Sequence, residues 1–130
     1  MRVLVDTSVW SEALRRKEPN AIAARLGELI MESMVVMIGP VRQEILSGIS
    51  NRVMYDKLRD HLQYFDDLPI TTEDCETAAE YHNLCRKNGI QGSSVDFLIC
   101  AVAMRYDLII FTTDLDFERY AQVLPIRLFA

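Results

Sequence analysis

Four carboxylates stand where an apolar stretch stops or turns: Asp6 after Val3, Leu4 and Val5; Glu44 within residues 40–46; Asp96 ahead of residues 97–103; and Asp114 after residues 108–111. An acid in apolar company is costly to ionise unless its charge is compensated, and neighbouring acids raise one another's pKa. A divalent cation answers both problems. Oxygen-only ligands select Mg²⁺ or Mn²⁺ over zinc or copper, and such ions can activate water for attack on phosphorus and neutralise the leaving oxygen. If the acids converge, the chemistry they support is phosphodiester hydrolysis without a protein nucleophile.

Each acid also has a plainer reading when taken alone. Asp6 could begin a turn, Asp96 could favour the positive end of a helix, Glu44 could be solvated, and Asp114 and Asp116 could be loop acids. The four in this order and context are far more specific than any one. Beside the first of them, Arg15, Arg16 and Lys17 are candidates for phosphate contact, since Lys and Arg supply most sequence-independent affinity for nucleic acid. As a bare triplet they are more often a solvated turn. Cys75, Cys85 and Cys100 have no CxxC or CxxH spacing, which suggests neither a disulfide framework nor a zinc site; they read as buried small hydrophobes. His61 and His82 lie in expected helices without a second ligand three or four residues away.

The elements that would carry these residues alternate. Arg2 to Val5 reads as a first strand, followed by a short helix from Val9 to Arg15. Pro19 and Asn20 signal a second helix to about Ser33, with Ile22, Leu26, Leu29 and Ile30 at helical spacing. Met34 to Ile38 is a second strand, and Gly39-Pro40 opens a helix that Gly48 closes. Asn51 to Phe65 is again amphipathic, and residues 68–70 form a brief extended piece that Pro69 assigns to a sheet edge. Thr72 caps a helix from Glu73 to Lys87 whose acidic start and basic end suit its dipole. Ser93 or Ser94 caps a helix from Val95 to Tyr106 that is apolar on nearly every side and therefore buried. Leu108 to Phe111 is a third strand, uniformly apolar as inside a parallel sheet, and Ile126 to Phe129 a last one.

Strands alternating with helices point to an α/β sandwich. The 130 residues, half of them hydrophobic, suit one domain spanning 1–130. The longest apolar runs fall far short of the roughly 20 residues needed to cross a bilayer, and Asp6 interrupts any signal-like start. A cytoplasmic protein without a membrane partner is the expectation. A formal charge of −5 argues at first against a nucleic-acid partner. Acids that hold metal lose most of that charge, however, and the bases at Arg52, Lys57, Arg59, Arg86, Lys87 and Arg105 lie apart from the acidic stretch at 66–80. RNA is not excluded.

In an open parallel sheet, ligands bind beyond the carboxyl ends of the strands. Asp6 and Asp114 each follow such an end, while Asp96 opens a buried helix and Glu44 follows a strand. The segments carrying them, residues 5–10, 44–48, 96–103 and 112–117, together resemble a PIN-domain ribonuclease, and in length and in the wording of all four motifs the VapC toxins of toxin-antitoxin pairs.

That resemblance covers residues 3–117 and implies a three-layer α/β sandwich, with a short, mainly parallel central sheet flanked by helices. By position it implies that Asp6, Glu44, Asp96 and Asp114 are the catalytic acids, that Asp6, Asp96 and Asp114 hold metal with Asp116 as a further ligand, and that the Thr112 hydroxyl orders the site. Thr7 and Ser8 are expected to shape the turn, and Trp10 to pack. The resemblance further implies an Mg²⁺-dependent endoribonuclease, with Mn²⁺ able to substitute, leaving 5′-phosphate and 3′-hydroxyl ends. It also implies a homodimer and a VapB-like antitoxin as partner.

Three rival readings remain beside it: a PIN nuclease of RNA processing or decay without an antitoxin, a non-catalytic RNA-binding module of the same fold, and a signalling receiver domain. The receiver wants an acidic pair after the first strand, an Asp after a central strand and a Lys after a later one; Asp6 stands alone and neither of the others is present. Haloacid-dehalogenase chemistry is disfavoured because no second Asp follows Asp6 two residues on.

Overall fold

A computed structural model describes residues 1–15 and 18–130. Its chain order is β1 (Val3–Val5), α1 (Thr7–Arg15), α2 (Ala21–Met31), β2 (Val35–Val36), α3 (Gly39–Leu46), α4 (Arg52–Leu62), α5 (Thr72–Lys87), α6 (Ser94–Arg105), β3 (Ile109–Phe111) and α7 (Asp116–Tyr120). The three strands form one parallel sheet in the order β2-β1-β3. Helices flank it, giving the α/β sandwich that the alternation of elements predicts. Val3, Leu4 and Val5 are all fully buried, which is why β1 reads as an unbroken apolar run rather than an alternating one.

The sheet is narrower than its sequence suggests. Residues 126–129 make no strand; Leu128 meets Ile110 in an isolated parallel bridge. Residues 68–70 are likewise not a strand, and the neighbouring Asp67 bridges Met37 instead. Both pieces run beside an outer strand, but Pro69 and Pro125 each remove a donor from a stretch too short to extend the ladder. β2 shrinks to Val35–Val36 within the expected 34–38.

Helix boundaries follow their capping chemistry. Asn20 caps α2 by accepting the Ala23 amide at 2.7 Å, and Asn51 caps α4 through the Met54 amide. The cap of α5 is Thr71 rather than Thr72. Its hydroxyl accepts the Asp74 amide, and Asp74 Oδ2 accepts the Thr71 amide at 2.9 Å, a reciprocal capping box. Ser93 caps α6. Gly48 and Gly89 sit at φ +87° and +76° just past α3 and α5, the left-handed positions where a helix ends most cheaply on glycine. α6 is buried as expected, with Phe97, Ile99, Cys100, Ala101, Val102 and Ala103 all in the core, and α5 packs along it.

One expectation about cysteine fails: Cys85 and Cys100 are buried, but Cys75 is exposed, because it lies on the outward side of α5. Arg105 is not part of a free basic patch either. Its guanidinium grips buried Asp74 with two hydrogen bonds, at 2.7 and 2.9 Å, and also reaches the Pro69 carbonyl. Among the described residues no helix is long and apolar enough to cross a membrane.

Candidate active site

The three strands end side by side, and their register sets the site. Val5 pairs with Phe111 across β1 and β3, and the Asp6 amide donates to the Phe111 carbonyl at 2.8 Å. Asp6 and Thr112 therefore leave adjacent strands as neighbours. Asp6 is nearly closed off, at 5% exposure. Its Oδ2 accepts the Ser8 hydroxyl at 2.7 Å and the Thr112 hydroxyl at 2.9 Å. Thr112, the residue expected to order the site, is placed directly against Asp6. Ser8 does more than shape a turn: besides holding Asp6, its oxygen accepts the Thr113 amide at 3.0 Å, stitching the β1 turn to the β3 turn.

Asp114 follows on the same turn. Its amide donates to the Thr112 hydroxyl, and its own Oδ1 accepts the Asp116 amide at 2.9 Å. That bond starts α7, a helix the sequence reading leaves as loop. Asp116 is consequently a first-turn acid of α7, with its carboxylate 3.6 Å from Arg119. Asp96 comes from the first turn of α6, where its amide is capped by Ser93. Its Oδ2 accepts the Tyr120 hydroxyl at 2.7 Å.

Burial pushes the Asp96 carboxyl above its usual range, and the charges of Asp6 and Asp114 push it further; the hydrogen bonds from Tyr120 and Ser93 oppose them. Asp6, Asp96 and Asp114 thus share one electrostatic neighbourhood although they come from three separate parts of the chain. Burial and the same Asp96 carboxylate push the Tyr120 phenol up, so it stays a donor. Glu44 stands apart, exposed on α3, and joins the group through the Thr7 hydroxyl, which donates to Glu44 Oε1 at 2.7 Å.

Among the described residues no lysine or arginine pairs with Asp6, Asp96 or Asp114. Their donors are all neutral. Each acid also divides its two oxygens: Asp6 Oδ2, Asp96 Oδ2 and Asp114 Oδ1 are held by the protein, and among the described residues none donates to the partner oxygen of any of them. As they stand, no three His, Cys, Asp or Glu side chains among the described residues form a group that could hold a metal ion. The donor set is nevertheless all oxygen, held on one side and free on the other, and short of positive charge. Mg²⁺ or Mn²⁺ fits that chemistry better than a soft metal does.

Other candidates separate from this group. Arg15 is exposed at the end of α1, and Arg16 and Lys17 lie outside the described residues. Trp10 packs as expected, edge-on to Phe65 with centroids 5.4 Å apart, and its buried indole N–H has no partner among the described residues. Tyr120 is the site residue that sequence reasoning misses. The signal lies in spacing: four residues after Asp116 and one helical turn along, it is carried to Asp96 only if residues 116–120 are helical.

Comparison with known proteins agrees with this geometry. Residues 3–123 match the PIN domain family model, and the chain belongs to that family. It is 30% identical over 125 residues to the ribonuclease VapC11 of Mycobacterium tuberculosis, covering 93% of this chain and 92% of that protein. The VapC ribonuclease Mb1587 of Mycobacterium bovis matches to the same extent. Among solved structures, VapBC2 from Rickettsia felis bound to a DNA fragment from its promoter has the same fold, with a TM-score of 0.80 at 16% identity over 99% of this chain and 98% of that one. FitAcB from Neisseria gonorrhoeae gives a TM-score of 0.78 at 24% identity, covering 98% and 96%.

Proposed function

We propose that this chain is an Mg²⁺-dependent endoribonuclease, acting as the toxin of a VapBC-type toxin-antitoxin pair. The observation that carries the reading is that Asp6 and Asp114 act on Asp96 as neighbouring charges at the carboxyl edge of a parallel sheet, while the hydrogen-bond donors to all three among the described residues are neutral. Like charges that are buried, as at Asp6, or half-buried, as at Asp96 and Asp114, with no paired cation among the described residues favour a bound divalent ion. Asp6, Asp96 and Asp114 would hold it with Asp116 beside them, and it would supply activated water and charge neutralisation at phosphorus.

The protein's own part is to fix the acids. Ser8 and Thr112 hold Asp6, the Asp116 amide holds Asp114, and Thr7 steadies Glu44 at the rim, where it can orient water or substrate. Arg15, exposed at the end of α1, is the candidate for a phosphate contact. The relatives named VapC ribonuclease support RNA as substrate. The fold shared with VapBC2 supports a VapB-like antitoxin as partner; a homodimer as the resting assembly is what the family resemblance implies.

The test is to incubate the purified protein with total RNA, with and without Mg²⁺, and map the new 5′ ends. Cleavage should need the metal, vanish in Asp6→Asn and Asp96→Asn, and be matched by growth arrest on expression. A fully active double variant would sink the reading.

A further inference from the structure

We infer that Tyr120 is a positioning residue of this nuclease site, acting through Asp96, and that α7 is the bracket that delivers it; the inference rests on the metal-site reading above. Tyr120 is fully buried, and a buried phenol must place its hydroxyl. Here the partner is the candidate ligand itself, Asp96 Oδ2 at 2.7 Å. The ring has no freedom to look elsewhere. Phe97 and Phe117 each lie 5.1 Å from it, centroid to centroid, tilted and edge-on respectively. Gly92 closes a further side: a Cβ there would run into the Tyr120 hydroxyl and stand 2.9 Å from Phe97 Cζ.

α7 thereby touches two acids from two different parts of the chain. At its start the Asp116 amide holds Asp114 Oδ1, and at its end Tyr120 holds Asp96 Oδ2. In both cases the held oxygen leaves its twin without a hydrogen-bond partner among the described residues. Asp6 is treated the same way by Ser8 and Thr112. Tyr120 thus does for the α6 acid what the two hydroxyls do for the β1 acid. It removes rotational freedom from a carboxylate that would otherwise have to be ordered when a cation arrives. Hydrogen-bond partners of ligating side chains are typically worth about 10–100-fold in metal affinity.

Tyr120→Phe keeps the ring and deletes the hydroxyl. Mn²⁺ affinity, read by electron paramagnetic resonance at fixed neutral pH, should weaken by about ten-fold or more, while thermal unfolding of the metal-free protein stays close to that of the parent. Gly92→Ala reaches the same hydroxyl by crowding and should also weaken Mn²⁺, which covers a Phe variant that fails to fold. Unchanged Mn²⁺ affinity in a folded variant overturns the inference and leaves Tyr120 a core residue, whatever happens to its melting temperature. A parent protein that binds no Mn²⁺ overturns the site reading together with this inference. Binding by the parent and equally by Tyr120→Phe overturns this inference alone.

Discussion

The two ends of α6 handle a shielded aspartate in opposite ways, buried Asp74 at one end and half-buried Asp96 at the other. At its C-terminal end, Arg105 closes on Asp74 with two hydrogen bonds, and that carboxyl is held below its usual range, first by the bond from Arg105 and also by the Thr71 cap. At its N-terminal end, Asp96 receives only a phenol and lies close to Asp6 and Asp114, and burial with those charges pushes its carboxyl up. One chain therefore contains a completed ion pair and an uncompleted one at opposite ends of a single 12-residue helix. The first needs nothing from outside the fold. The second lacks a cation among the described residues, the feature on which the proposed metal site rests, and the contrast would separate an acid kept for stability from acids kept for chemistry.

Exchanging each acid for its amide should pull the two apart. Asp96→Asn is expected to lower RNA cleavage by at least about 10³-fold, the scale on which metal-assisted hydrolysis depends on its ligands, while the metal-free protein unfolds no earlier than the parent because a repelling charge is gone. Asp74→Asn should do the reverse: a loss of about 1–3 kcal/mol, the usual worth of charge-assisted hydrogen bonds, with cleavage per folded molecule unchanged. Denaturant midpoints and a cleavage rate measured well below the transition decide both. A cleavage defect in folded Asp74→Asn would erase the distinction.

This contrast was only half visible in the sequence. Asp6, Asp96 and Asp114 could be picked out because each interrupts or borders an apolar run, and apolar runs are what sequence pattern reports best. Asp74 could not, because it lies in an acidic helix start where the dipole already accounts for a carboxylate; only the reach of Arg105 from α6, 31 positions on, reveals the pair. The same limit hid Tyr120. A five-residue helix carries too short a pattern to register, and its start is set by local bonds that a pattern does not report, among them the Asp116 amide to Asp114 Oδ1 and the Phe117 amide to the Asp114 carbonyl. The missing outer strands are a matter of local chemistry: residues 126–129 have strand composition, but pairing reduces to the bridge between Ile110 and Leu128 in a short stretch that follows Pro125. Long buried segments were legible, and side-chain contacts between distant elements were not.

A smaller effect should sharpen the metal end of the comparison. Thr112 donates to Asp6 Oδ2 and accepts the Asp114 amide. Ser8 donates to that same Asp6 oxygen, so both hydroxyl protons are spent on the acid and the 3.2 Å approach between the two hydroxyls has none left to share. Thr112→Val keeps the shape and deletes both bonds, and should lower cleavage by about 10–100-fold. Thr112→Ser should recover most of the rate. Equal rates for the Val and Ser variants would show that packing, not the hydroxyl, matters there.

The smallest expected signal is also the most direct reading of the contrast, because the two acids should give stability opposite slopes with pH. From an ordinary value of 3.8, Asp74 is shifted down on folding. Its contribution is present above that value and is lost as pH falls through the lower, folded pKa. Asp96 is shifted up from the same 3.8. The folded protein keeps that proton to higher pH than the unfolded chain does, so stability is lost as pH rises from 3.8 through the folded pKa. Urea midpoints of metal-free protein between about pH 2.5 and 7 should therefore show Asp74→Asn converging on the parent in acid. Asp96→Asn should instead draw ahead of the parent towards neutrality. Mg²⁺ added at neutral pH should raise the parent's midpoint and close that second gap, since a ligand that binds only the folded state stabilises it. An Asp96→Asn curve that tracks the parent at every pH, with or without Mg²⁺, would mean the N-terminal end of α6 is as fully satisfied by the fold as its C-terminal end.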